Sequence, residues 1–143
     1  MIILKKSSNS AIDFEKYSLL LIKDNKIIHS SEESGLRPLL NCITIIKKEH
    51  PTIRGCILHD RAIGLAAAKL VVYSRNISGV NARIASRPAI EFLEQNKIPI
   101  QAETVVDNIL RKDKKGICPM ELLASKIKSP KKFFEEIKKR FIV

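Results

Sequence analysis

The sequence predicts a three-layer α/β/α domain built on a mixed sheet, and three observations lead to it. Two short β-prone runs, residues 17–22 and 26–30, flank Asp24-Asn25, a dipeptide suited to a hairpin turn. After them, apolar runs of strand length alternate with helical periods, giving the order β-β-α-β-α-β-α-β-α-α. At the centre, residues 54–73, RGCILHDRAIGLAAAKLVVY, join a buried strand to a helix built on small residues.

Residues 1–16 have weak periodicity and read as an irregular or helical lead-in, so residues 17–143 form one domain that includes the basic C-terminal helix. Ser34-Gly35 breaks the chain after the hairpin. Residues 36–49 are then helical: Leu39, Leu40, Ile43 and Ile46 share a face, Pro38 is tolerated in the first turn, and His50-Pro51 ends the helix. In the central stretch, residues 55–58 are the strand and His59-Asp60 a tight corner. Asp60 is the expected N-cap of a helix over residues 63–73. Gly64, Ala67, Ala68 and Val71 fall at i, i+3, i+4 and i+7, a face with little side chain that suits close approach to a sheet or ligand.

A strand at 80–85 leads to Ser86-Arg87-Pro88, with Ser86 as N-cap and Pro88 in the first turn of a helix over 89–96. Residues 98–105 read as the last strand and 111–116 as a lysine-rich loop. Cys118-Pro119-Met120-Glu121 opens a helix to about residue 127. Ser129-Pro130 opens the last helix, whose apolar side is Phe133, Phe134, Ile137 and Phe141.

Composition narrows the function classes. The chain has 143 residues, 26 Lys/Arg against 15 Asp/Glu, and a net charge of +11. That balance favours nucleic acid or other polyanions as partners, although few aromatics and no nucleic-acid motif accompany it. Cys42, Cys56 and Cys118 make an odd count without a CxxC, which suits reduced thiols in a cytoplasm. No apolar run approaches the roughly 20 residues of a membrane span, and the N-terminus has no long apolar core, so neither membrane insertion nor a signal peptide is expected.

Open α/β sheets place their sites at the carboxyl ends of strands, beside helix N-termini. Asp60 and Arg61 stand there, Asp60 as a hydrogen-bond acceptor or general base, with His59 a strand-end residue beside them. Gly64 allows close backbone approach, and Ser86 with Arg87 offers a second helix start able to hold an anion. Cys118 at an N-cap faces free N–H groups, which favours a nucleophilic or redox role. Glu121 either repels that sulfur or reaches back to the Cys118 N–H as in a capping box. Cys42 and Cys56 read as core residues.

Three motifs carry a family resemblance. These are Gly35-Leu36-Arg37-Pro38-Leu39-Leu40, then Asp60-Arg61-Ala62-Ile63-Gly64 followed by Ala66-Ala67-Ala68, and then Gly116-Ile117-Cys118-Pro119-Met120-Glu121. In this order they resemble the domain of unknown function 1893 family, with a departure at Leu110-Arg111, where the family tends to show Asn-Arg. The resemblance implies a cytidine-deaminase-like fold, and with it the question of zinc-dependent deamination. That chemistry needs His-x-Glu or Cys-x-Glu at the second helix and Pro-Cys-x-x-Cys at the third. The chain offers His59-Asp60-Arg61 and Ser86-Arg87-Pro88-Ala89-Ile90-Glu91, so neither a metal nor any other cofactor is expected. The expected function is binding of a nucleotide-like or other small ligand. The alternatives are an enzyme using Cys118 with Asp60, and a basic nucleic-acid-associated protein.

Overall fold

Asp24 and Asn25 both take left-handed backbone angles, φ 50° and 64°. These angles match the right-handed twist of the two strands they join, β1 (Leu19–Lys23) and β2 (Lys26–Ser31). The computed structural model describes residues 14–141, so most of the lead-in expected over 1–16 lies outside the described residues. After the hairpin come α1 (Arg37–Glu49), β3 (Cys56–Ile63), α2 (Leu65–Ser74), β4 (Ile77–Ser86), α3 (Arg87–Gln95), β5 (Ile100–Val106), α4 (Pro119–Lys126) and α5 (Pro130–Arg140). The helix caps follow the local chemistry. Ser86 Oγ accepts the Ala89 N–H at 3.3 Å and Ser129 Oγ the Lys132 N–H at 3.2 Å, each just ahead of a first-turn proline.

The strands form one mixed sheet in the order β2-β1-β3-β4-β5. β1 runs antiparallel to β2 and β3, while β3, β4 and β5 are parallel. The expected corner at His59-Asp60 is absent. β3 is held on both sides there, with Asp60 opposite Leu19 of β1 and Ala82 of β4, and pairing with β4 continues to Ile63. Two ladders outweigh a local capping preference, so Asp60 is a strand residue and Gly64 takes the N-cap of α2.

The described helices form two layers on the sheet. α1, α2 and α3 pack on strands, and α4 and α5 pack on α2 from outside. Because α1, α3, α4 and α5 all touch α2, the described helices stand on one side of the sheet. The second helical layer of an α/β/α sandwich is not among the described residues. α2 is therefore enclosed between the sheet and the outer helices, which is why its small face is not its only buried one: Ala66 and Leu70, off that face, are nearly as inaccessible as Ala68. Leucine in place of Ala67 or Ala68, 3 % and 0 % exposed, is expected to overpack this layer and cost about 1–3 kcal/mol in a denaturant titration. Wild-type stability in both variants would contradict this packing.

Candidate functional site

Three helices begin at one cavity. The first turns of α1 (Leu36, Arg37, Pro38), α2 (Gly64, Ala66, Ala67) and α4 (Cys118, Met120, Glu121) line a pocket of about 910 Å³. Ser18, Asp60, Arg61 and Ala62 come from the strand ends beneath it, and Glu32, Glu33, Ile109 and Phe141 complete the walls. The strand order explains the place. Ser18 precedes β1, and its carbonyl accepts the Arg61 N–H at 3.0 Å, which brings the start of β1 beside the carboxyl end of β3.

Glu121 organises the pocket floor. Its carboxylate is a two-toothed cap on α2: the Leu65 N–H donates to Oε1 at 2.7 Å and the Ala66 N–H to Oε2 at 3.0 Å. These are free donors at the positive end of a helix, so an anion there is favoured. Burial pushes the Glu121 carboxyl above its ordinary range, and the two N–H bonds oppose that shift. Of the two alternatives for Glu121, the capping box does not form, because the Cys118 N–H already donates to the Ile109 carbonyl at 3.0 Å. Gly64 exists for this contact. A Cβ built there would lie 2.2 Å from Glu121 Oε1, while the Gly64 backbone itself is extended and open to any residue.

At the other end of α4, the ammonium of Lys69 donates to the Ala124 and Ile127 carbonyls at 2.6 and 2.5 Å. Lys69 is only 4 % exposed, and burial lowers its pKa. Glu121 and Lys69 together pin both ends of α4 along α2. The sequence signal for this contact is a lone lysine in the otherwise apolar helix AAAKLVVY.

Asp60 lies in the pocket with less support than Glu121. It accepts a long bond from the Ala62 N–H at 3.4 Å, and burial pushes its carboxyl up to about 8, opposed by backbone N–H groups and the nearby Arg61 charge. Arg61 itself is occupied, since its guanidinium donates to the carbonyls of Phe14 and Glu15 at 2.5 and 3.0 Å. Arg37 lies over the Phe141 ring, 5.1 Å from its centroid.

Other expected site residues lie elsewhere. Ser86 is a buried cap of α3, and Arg87 pairs with Asp107 at 3.0 Å on an exposed surface; neither lines the pocket. His59 is not a strand-end residue open to solvent but is buried mid-strand, with Nδ1 unpartnered and its pKa pushed down to about 4 by burial.

The three thiols separate clearly. Cys42 and Cys56 are fully buried, and burial raises both, Cys42 to about 12. Cys118 is half-buried on the pocket wall, and its side chain makes no cap bond. Alkylation followed by mass spectrometry is expected to label Cys118 at least tenfold faster than the other two. Equal, slow labelling of all three would remove Cys118 from consideration as a reactive group.

The residues present do not fit a zinc centre. α2 starts at Gly64-Leu65 and α3 at Ser86-Arg87, and no cluster of three or more His, Cys, Asp or Glu able to hold a metal occurs among the described residues.

A family model described as Domain of unknown function (DUF1893) matches residues 8–141. The chain belongs to this family. Among solved structures, the crystal structure of a DUF1893 family protein from Thermotoga maritima superposes with a TM-score of 0.80. The two are 24 % identical, and the match covers 94 % of this chain and 88 % of that one. Among curated proteins none matches. At that identity the likeness to the Thermotoga maritima protein shows a shared DUF1893 fold, and the chemistry rests on this chain's own residues. Among the described residues of this DUF1893 chain, no helix is long and apolar enough to cross a membrane.

Proposed function

We propose that this DUF1893 chain is a deaminase-like domain without the zinc chemistry, working in the cytoplasm and binding a nucleotide-like or other small ligand in the pocket where α1, α2 and α4 begin. One observation carries the reading: a cavity of about 910 Å³ brings Asp60 together with three helix starts. Its volume is in the range of small-molecule sites. The cytidine-deaminase-like fold rests on the three sequence motifs together with the mixed sheet in the order β2-β1-β3-β4-β5.

The chemistry orients the ligand. Asp60 accepts hydrogen bonds from a donor edge such as that of a nucleobase. The first turns of α1 and α4 have no side-chain cap, but Pro38 and Pro119 carry no N–H and the Glu121 N–H donates to the Cys118 carbonyl, so the Arg37 and Met120 N–H groups are those the pocket offers to acceptors. Leu36, Pro38, Met120 and Phe141 supply apolar contact for a flat ring. A phosphate does not take the start of α2, because the Glu121 carboxylate already holds those two N–H groups.

A thermal-shift screen of bases, nucleosides and nucleotides tests this. A stabilising hit is expected to lose tenfold or more in affinity on Asp60→Asn, with no zinc needed. About one tightly held zinc per chain by elemental analysis, or hits unaffected by Asp60→Asn, would overturn the reading. A second reading, an enzyme with Cys118 as nucleophile or redox thiol, is favoured by Cys118 and Asp60 lining one pocket. No histidine lines that pocket, so the base falls to a carboxylate, and Asp60, raised by burial to about 8, is suited to it. Turnover of a screened ligand that Cys118→Ser abolishes would select it.

A further inference from the structure

The positive charge is concentrated on the outer helical layer. Residues 126–140 hold seven cations against two carboxylates, five of the eleven excess charges of the chain. Lys126, Lys128, Lys131, Lys132, Lys138 and Lys139 are all exposed. Arg140 is paired with Glu136 at 3.4 Å, and none of the six lysines has an ion pair among the described residues. α5 places its apolar residues Phe133, Phe134 and Ile137 against the core. Its outer face is therefore almost wholly charged. The one acid of α4, Glu121, is turned inward to α2 and does nothing to neutralise the surface.

We propose that the outer face of α4 and α5 binds the phosphate backbone of duplex nucleic acid without reading its sequence. Lysines at this density repel one another in the free protein. Laying them on a polyanion relieves that repulsion and releases condensed counterions. The side chains also say what kind of contact this is. Lysines are point charges that suit single phosphate oxygens, whereas base reading relies on forked or amide side chains such as Arg, Asn and Gln. No large hydrophobic residue of α5 is among the exposed ones and on α4 only Leu122 is, a single aliphatic side chain, so the face has no aromatic stacking platform for single strands and little apolar surface with which to anchor in a lipid. At 1.5 Å per residue, the 11 residues of α5 span about 16 Å, enough to reach several phosphates of a duplex. None of the six lysines lines the pocket, and this proposal stands whether or not the pocket reading does.

Fluorescence anisotropy with a labelled duplex of about 20 base pairs tests it. Between about 50 and 200 mM salt, log K is expected to fall against log salt with a slope of about −3 to −5, and equally for unrelated sequences. Lys131→Glu with Lys132→Glu and Lys138→Glu, all exposed and checked for folding by circular dichroism, is expected to weaken binding more than tenfold and flatten the slope. Lys23→Glu with Lys26→Glu on the hairpin is the control and is expected to change affinity less than threefold. Three results would each overturn the proposal: no wild-type binding at low salt, equal loss from the hairpin control, or tighter binding to phosphatidylserine vesicles than to the duplex.

Discussion

Alanine at Gly64 is expected to destabilise the protein by about 2–4 kcal/mol, although its backbone conformation accepts any residue. The cause is space. The new Cβ would meet the Glu121 carboxylate at 2.2 Å, and the carboxylate has to leave. Leaving gives up two charge-assisted bonds, from Leu65 and Ala66 N–H, and uncovers the positive end of α2. A double-mutant cycle isolates this mechanism. On a Glu121→Ala background nothing remains to be displaced, so Gly64→Ala is expected to cost less than about 0.5 kcal/mol. Denaturant midpoints for the four proteins give the coupling directly. Equal cost on both backgrounds would mean that Gly64 serves something other than the Glu121 contact.

Asp60 is expected to make stability fall as pH rises. The carboxyl has a pKa of about 8 in the folded chain and an ordinary value of 3.8 when exposed. Between these values the folded protein keeps a proton that the unfolded chain has released. Stability from this group is therefore full below about pH 4 and is lost progressively up to about pH 8. The shift sets an upper bound of about 6 kcal/mol, lowered by water reaching a partly exposed carboxyl. Glu121 is raised by the same cause and adds a slope of the same sign. Asp60→Asn is neutral throughout and is expected to flatten most of the dependence, with its largest gain in stability above pH 8. Unfolding midpoints across pH 4–9 measure it, and a wild-type curve that rises with pH in this window would refute the burial of Asp60.

The same two residues show where sequence reasoning reached its limit. Asp60 was legible as a site candidate because it ends an apolar run and precedes a helix of small residues. Its conformation was not legible, because pairing with Leu19 and Ala82, 41 positions before and 22 after, extends the strand past it. Glu121 was legible as an N3 carboxylate and read as a partner of Cys118. The donors it actually accepts from lie on another helix, the Leu65 N–H being 56 residues earlier in the chain. Lys69 carried a visible signal, a charge in an apolar helix, but its partners at Ala124 and Ile127 are set only when α4 docks.

What the sequence determined by itself is what works within a few residues of the chain. It set the Asp24-Asn25 hairpin, the serine caps and first-turn prolines of α3 and α5, the apolar face of α1, and the family motifs. Tertiary structure alone decided three things: that β3 runs through Asp60, that α2 is enclosed by α4 and α5, and that three helix starts share one cavity. The physical reason is reach. Capping and turn preferences act between neighbours and are worth about 1 kcal/mol each, whereas ladders on both sides of a strand and a helix pinned at both ends act together across the chain and override them.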